Sequence, residues 1–277
     1  MLALGLGLIA ALGWGTHDLL VRTIAPGARV LPQLAAVMLV AALVTAPFGW
    51  TRALPDPETL ALAIASGCTY FGASLALYAA FARAPVKLVA PVIGAYPLPA
   101  LGYELLRGNP VSGIEWLASG LIVAGVAVVA TQGDSDSQRP HPAALPLAFV
   151  ACFGMATSFA LGQEAASRIE PMHAASLARS GGAVLALALL ALRPKGVGAA
   201  LKRWPVLLAM GCLDGLALSS VIAAGALAQA SYASVTSSLF GVVTILLAWG
   251  ILGERVRLAQ GAGIALIFTG LGWLAWG

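Results

Sequence analysis

The chain has 277 residues, of which 60% are hydrophobic and 9% charged, whereas a soluble domain carries about 25% charged residues, so a water-facing surface cannot be built from it. Its net charge of +4 comes without a basic patch, which excludes a nucleic-acid interface. His-Glu-x-x-His, Cys-x-x-Cys and phosphate-loop patterns are absent, so the sequence points to no cofactor, no metal and no enzyme chemistry.

Apolar runs follow one another along the chain, each near the roughly 20 residues that a bilayer-spanning helix needs. They predict helices over 2–21, 31–50, 58–82, 86–106, 111–131, 144–163, 171–192, 204–228, 232–252 and 257–276. The runs are continuous and lack the alternation of a membrane barrel. In lipid a helix satisfies every backbone N–H and C=O within its own segment. Met1 runs straight into the first span, which is expected to direct insertion and to be retained.

The first span holds Trp14, His17 and Asp18. Trp14 lies three residues before His17 and four before Asp18, so the three share a helix face. Trp14 is too deep for an interfacial aromatic belt and suits a cavity wall. Arg22, four residues after Asp18, could pair with it at the interface. In the third span Tyr70, Ser74 and Tyr78 step by four and form a polar stripe that lipid would disfavour. The fourth span sets Tyr96 beside Pro97, and a proline there removes an intrahelical bond and can kink the helix. A polar linker, 132–142, separates five spans from five.

In the second half, Arg179 lies eight residues into the seventh span, where it could snorkel to the interface or pair with Glu164 or Glu170; a structural or gating pair is expected over ligand contact. Asp214 lies ten residues into the eighth. An ionisable group at mid-span costs about 2.5–3.5 kcal/mol on insertion scales, so Asp214 reads as a cation- or proton-binding carboxylate. The alternative is a protonated acid bonded to Ser219 or Ser220. Thr236, Ser237, Ser238 and Thr244 suit interhelical hydrogen bonds. Glu104, Glu115 and Glu254 fall near span ends and are expected in water. Cys68, Cys152 and Cys212 lie in apolar runs and read as small packing residues.

The halves repeat. Leu121-Ile122-Val123-Ala124-Gly125 recurs as Leu266-Ile267-Phe268-Thr269-Gly270. Residues 10–14 align with 151–155, with Gly13 opposite Gly154. Residues 79–91 align with 225–237, and 108–125 with 253–270. Three matches in one order mark a duplication. Five spans per half is an odd number, so the second half must enter the membrane inverted.

Three features carry a family resemblance. They are Gly13-Trp14-Gly15 in the first helix, Leu77-Tyr78-Ala79-Ala80-Phe81-Ala82 ahead of a fourth helix with Pro97, and Leu252-Gly253-Glu254-Arg255-Val256 before a glycine-bearing last helix. With these the whole chain resembles the drug/metabolite transporter superfamily, in its ten-helix EamA-like branch. It departs from that pattern at Asn109, where the family usually has glutamate, and at Val242 and Val243, where it often has proline. An arginine common in the second helix of each repeat stands only in the second half, as Arg179.

The expected fold is an all-α polytopic membrane protein of ten helices in two inverted five-helix repeats, 1–131 and 143–277. The expected function is secondary transport of a small organic solute by alternating access. The resemblance implies an amino acid or related metabolite, export, and a bacterial-type cytoplasmic (inner) membrane. Candidate substrate-binding residues are Trp14, His17, Asp18, Tyr70, Tyr78, Tyr96 and Asp214, in a cavity lined by spans 1, 3, 4, 6, 8 and 9. Protons are the candidate coupling ion. One chain contains both halves, so a monomer is expected. The competing reading is a membrane-embedded enzyme acting on lipid or isoprenoid phosphates, for which His17, Asp18, Arg22 and Arg29 would have to converge. Orientation is pulled two ways. A cytoplasmic N-terminus leaves only Arg52, Arg107, Arg168 and Arg179 on cytoplasmic ends and the other eleven of the 15 Lys and Arg outside, against the positive-inside rule. The resemblance implies both termini in the cytoplasm.

Overall fold

A computed structural model describes every residue except 1, 107, 109, 111, 132–140, 226, 228–235, 238, 255 and 277. Most of the linker, Asn109, Ser238 and Arg255 therefore lie outside the described residues. The helices are α1 (Leu2–Ile24), α2 (Val30–Thr45, followed by a 3-10 turn, Ala46–Phe48), α3 (Pro57–Phe81), α4 (Val86–Gly94), α5 (Pro97–Leu106) and α6 (Gly113–Thr131). The second half supplies α7 (Ala144–Arg168), α8 (Pro171–Leu192), the short α9 (Val197–Leu201), α10 (Trp204–Gly225), α11 (Phe240–Leu252) and α12 (Leu258–Trp276). No strand occurs among the described residues. Among the described residues, six segments are long and apolar enough to cross a bilayer: 30–48, 57–81, 86–103, 144–168, 171–192 and 204–224. The surface is apolar, with Leu12, Trp116, Val123, Phe153, Val184, Trp249 and Ile251 exposed, while Asp18, Asp214, Arg179 and His17 are buried. This inversion of the soluble pattern fits a lipid surround.

The predicted fourth span is two helices. Pro97 has no N–H to offer the Ile93 carbonyl, and that carbonyl takes the Tyr96 amide at 3.1 Å instead. The helix breaks at Ala95 and Tyr96, where the sequence reading expected a kink. The α9 turn was not foreseen. Gly196, at φ +95°, starts it and packs on the Arg29 side chain.

Hydrogen bonds sort the helix ends into two groups. At one end Arg203 and Gln33 donate to the Ile24 carbonyl, and Arg22 donates to the Phe81 carbonyl and to Glu254. Glu254 also accepts the Val86 amide at 2.8 Å and so caps α4. At the other end Asp56 caps α3, accepting the Glu58 and Thr59 amides, and Glu170 caps α8, accepting the Met172 and His173 amides. Arg168 bridges Glu58 and Glu164 there, and Arg52 reaches Glu170. Arg22 therefore pairs with Glu254, not Asp18, and Glu254 is not left to water.

The packing is between halves more than within them. α3 lies along α7, and its counterpart α1 along α10; α6 lies along α12. A Cβ on Gly125 would meet the Gly263 carbonyl and Ile267, and one on Gly270 the Ala118 carbonyl and Ile122. Each of these contacts repeats 145 positions later with the halves exchanged, and the two helices run antiparallel. Gly13 packs on Ala217 and Gly154 on Ala73 in the same manner. Small residues let these backbones approach closely. Ser66 and Ser158 add reciprocal hydroxyl-to-carbonyl bonds of 2.8 and 2.9 Å between α3 and α7.

Candidate functional site

A small closed pocket lies where the halves meet. Its wall includes Trp14, His17 and Asp18 from α1, Tyr70, Ser74 and Leu77 from α3, Ile93 from α4, Tyr96 at the α4–α5 break, Met155 and Phe159 from α7, and Phe240 from α11. Its free volume is about 30 Å³. A drug-sized ligand needs roughly 300 Å³ or more, so the pocket is shut around its centre.

Trp14, His17 and Asp18 reach the pocket together because their spacing puts them on one α1 face. Trp14 stacks on Phe159 with ring centres 5.5 Å apart and meets Phe240 edge-on at 6.1 Å. Tyr96 meets Phe159 edge-on at 5.1 Å, and its hydroxyl is 3.0 Å from Ser237 Oγ. His17 Nδ1 lies 3.1 Å from Asp18 Oδ1, and His17 Nε2 lies 3.1 Å from the Tyr78 hydroxyl. If Nδ1 carries the proton and donates to Asp18, Nε2 accepts from Tyr78. The second carboxylate oxygen, Asp18 Oδ2, is buried with no hydrogen-bond partner. An ionised oxygen in that position needs a cation or a proton.

Asp214 stands behind this wall. Its Oδ1 accepts from the Tyr70 hydroxyl at 2.5 Å and from Trp14 Nε1 at 3.2 Å. Arg179 Nη1 lies 2.8 Å from Oδ2, close enough for an ion pair though not aligned as a hydrogen bond. Arg179 Nη2 donates to the Asp214 carbonyl, and the guanidinium sits 4.2 Å over the Tyr70 ring. The expected partners of both residues are therefore corrected. Glu164 is taken by Arg168 and Glu170 caps α8, which leaves Arg179 to Asp214. Ser220 bonds back to the Leu216 carbonyl, not to Asp214.

Among the sequence-derived candidates, Trp14, His17, Asp18, Tyr70 and Tyr96 line the pocket. Tyr78 and Asp214 lie one layer back, orienting His17 and Tyr70. Sequence reasoning missed Phe159, Met155, Ile93 and Phe240, apolar residues in apolar helices that carry no signal of their own. It had the two members of the Arg179–Asp214 pair but not the pairing; lone opposite charges deep in two spans were the available clue. Arg22 and Arg29 do not converge on His17 and Asp18, because Arg22 turns to Glu254 and Arg29 packs on Gly196. No metal-holding cluster of His, Cys, Asp and Glu occurs among the described residues.

The sequence profile of the EamA-like transporter family matches residues 1–131 and 142–276. No curated protein matches the chain. Among solved structures, one described only as the crystal structure of a protein superposes with a TM-score of 0.68 over 98% of this chain and 95% of its own, at 19% identity. That is a likeness of fold. The motif-based resemblance is thus borne out, and the chain, a multi-pass integral membrane protein built of two family repeats, belongs to the EamA-like transporter family, within the drug/metabolite transporter superfamily.

Proposed function

We propose that the protein is a secondary active transporter for a small organic solute that carries an amine, an amino acid or a related metabolite, and that it works as an exporter. The observation that carries this reading is Asp18, a residue of the aromatic pocket wall at the junction of the halves whose Oδ2 is buried and has no hydrogen-bond partner. An ammonium group would satisfy that oxygen, and Trp14, Phe159 and Tyr96 would cover the solute's apolar part. In the absence of solute a proton can take its place, which makes protons the proposed coupling ion. Asp214 already has Arg179 beside it and therefore serves to hold Trp14 and Tyr70.

The membrane topology proposed is ten crossings, with α4 and α5 sharing one, in inverted repeats 1–131 and 143–277 joined by the linker 132–142. The antiparallel contact of α6 with α12 and the two groups of helix ends support it. Rocking of one bundle against the other around the closed pocket would give alternating access. A thermal-unfolding screen of the detergent-purified protein against amines, amino acids, nucleosides, sugars and lipid phosphates tests the reading. A ligand at 100 times its dissociation constant adds about 2.7 kcal/mol to the folded state. The expected result is stabilisation by amine-bearing solutes, lost in Asp18→Asn. Stabilisation by lipid phosphates alone would overturn it in favour of the enzyme reading.

A further inference from the structure

Beside the closed pocket the protein has a much larger hollow. A crevice of about 740 Å³ opens between α4–α5, α6 and α7. Its wall is almost wholly apolar, with Leu98, Pro99, Val123, Phe149 and Phe153 prominent. Phe149, Phe153, Val123 and Leu106 are also exposed on the outer surface, so the mouth faces the acyl chains of the bilayer. The inner wall and the pocket share two segments, one residue apart on α4–α5 and three apart on α7. Val92 and Ala95 face the crevice while Ile93 and Tyr96 face the pocket, and Cys152 and Ala156 face the crevice while Met155 and Phe159 face the pocket. The partition is the Tyr96–Phe159 ring pair, set at the break between α4 and α5.

The duplication does not explain the hollow. On the opposite side of the bundle, α1 meets α11 so closely that a Cβ on Gly15 would strike Val243 and the Phe240 carbonyl. Among the described residues the two sides differ: Gly15 is packed against α11, whereas Ala156, its counterpart in the second half, lines the crevice. The crevice sets an apolar space of drug-molecule size across one wall from the pocket that Asp18 lines. That is the shape and polarity of an amphiphile with an amine head and an alkyl or aryl tail.

We propose that the crevice is the apolar half of the substrate site, so that the protein takes amphiphilic amines laterally from the bilayer, with the tail in the crevice and the head at Asp18. The head assignment rests on the transport reading above; the tail assignment rests on the crevice alone. Gly102 lines the crevice, and a Cβ built there meets nothing within 4 Å, so Gly102→Trp starts from an open position on the wall. Thr157→Trp fills it from the facing helix.

The test is photolabelling of the full-length protein in lipid nanodiscs. The probes are octylamine and octanol, each with a diazirine at the chain terminus, and labelled peptides are mapped by mass spectrometry. Both probes are expected to label the peptides containing 98–106 and 149–157, with loss of that labelling in whichever filled variant keeps wild-type elution and melting. Octylamine labelling should also fall in Asp18→Asn while octanol labelling stays. Labelling unchanged by the filled variants, or spread evenly over the lipid-facing helices, would overturn the crevice. Crevice labelling by octylamine that is unchanged in Asp18→Asn would leave the tail site standing and remove the amine from Asp18.

Discussion

Arg179 and Asp214 approach to 2.8 Å with both side chains almost completely buried, one on α8 and the other on α10. Truncating one member of a buried pair leaves an uncompensated charge, at a cost of about 3–5 kcal/mol. Arg179→Met and Asp214→Leu are each expected to destabilise the protein by that order. The double variant should be closer to wild type than either single. Denaturant unfolding in detergent, read as a double-mutant cycle, checks this. Additive losses would mean that the two charges do not support one another.

The reciprocal contacts of Gly125 and Gly270 make a second expectation. Each lies against the partner helix's backbone, so a larger side chain must push α6 and α12 apart. Gly125→Leu and Gly270→Leu should lower the melting temperature by similar amounts. Gly120→Leu, where a Cβ meets nothing within 4 Å, should change it little. A large effect at only one of Gly125 and Gly270 would count against the two-fold arrangement of these helices.

Asp56 gives a pH dependence outside the membrane. Thr59 and the Glu58 amide beside it hold its carboxyl below the ordinary value of 3.8, the two amides donating to Oδ1. A depressed carboxylate stabilises the fold fully above its unfolded-state value and loses that contribution as the pH falls through its folded value. Melting temperatures of wild type and Asp56→Ala should therefore differ by a constant amount from neutral pH down to about pH 4 and converge below it. Asp56→Asn, whose side-chain oxygen can still cap α3, should lack the convergence.

The helix ends sharpen the question of orientation. Arg22, Arg29, Arg83, Lys87, Arg193, Lys195, Lys202, Arg203 and Arg257 belong to the ends grouped around Ile24 and Glu254, whereas Arg52 and Arg168 belong to the other group. Arg179 leaves the count, being buried against Asp214. The positive-inside rule then places the Glu254 end in the cytoplasm and both termini outside. A reporter fused after Gly277 that is active only outside the cytoplasm is expected to be active. A cytoplasm-only signal would mean that family topology overrides the charge bias.

Much of the architecture was legible because lipid imposes a simple rule: long apolar runs become helices, and ionisable residues inside them need partners. The α1 face of Trp14, His17 and Asp18 followed from helical spacing alone, and the break at Tyr96 followed from Pro97. The partner choices did not. Arg179 has candidate acids 9 and 15 positions before it and another 35 positions after it, and only the packing of α8 on α10 selects the last. Glu254 looked like a hydrated span end because nothing in the sequence tells that α4 begins beside it. The crevice was invisible, since it depends on how far α5 stands from α7.

The central claim is that Asp18 is the charge that engages a moving cationic solute while Asp214 holds the walls. Proteoliposome flux of the best-stabilising amine tests it most directly. The account predicts that wild type moves the solute against its gradient when a proton gradient is imposed, and that Asp18→Asn, folded and melting near wild type, does not. Gradient-driven flux that survives in Asp18→Asn would contradict it.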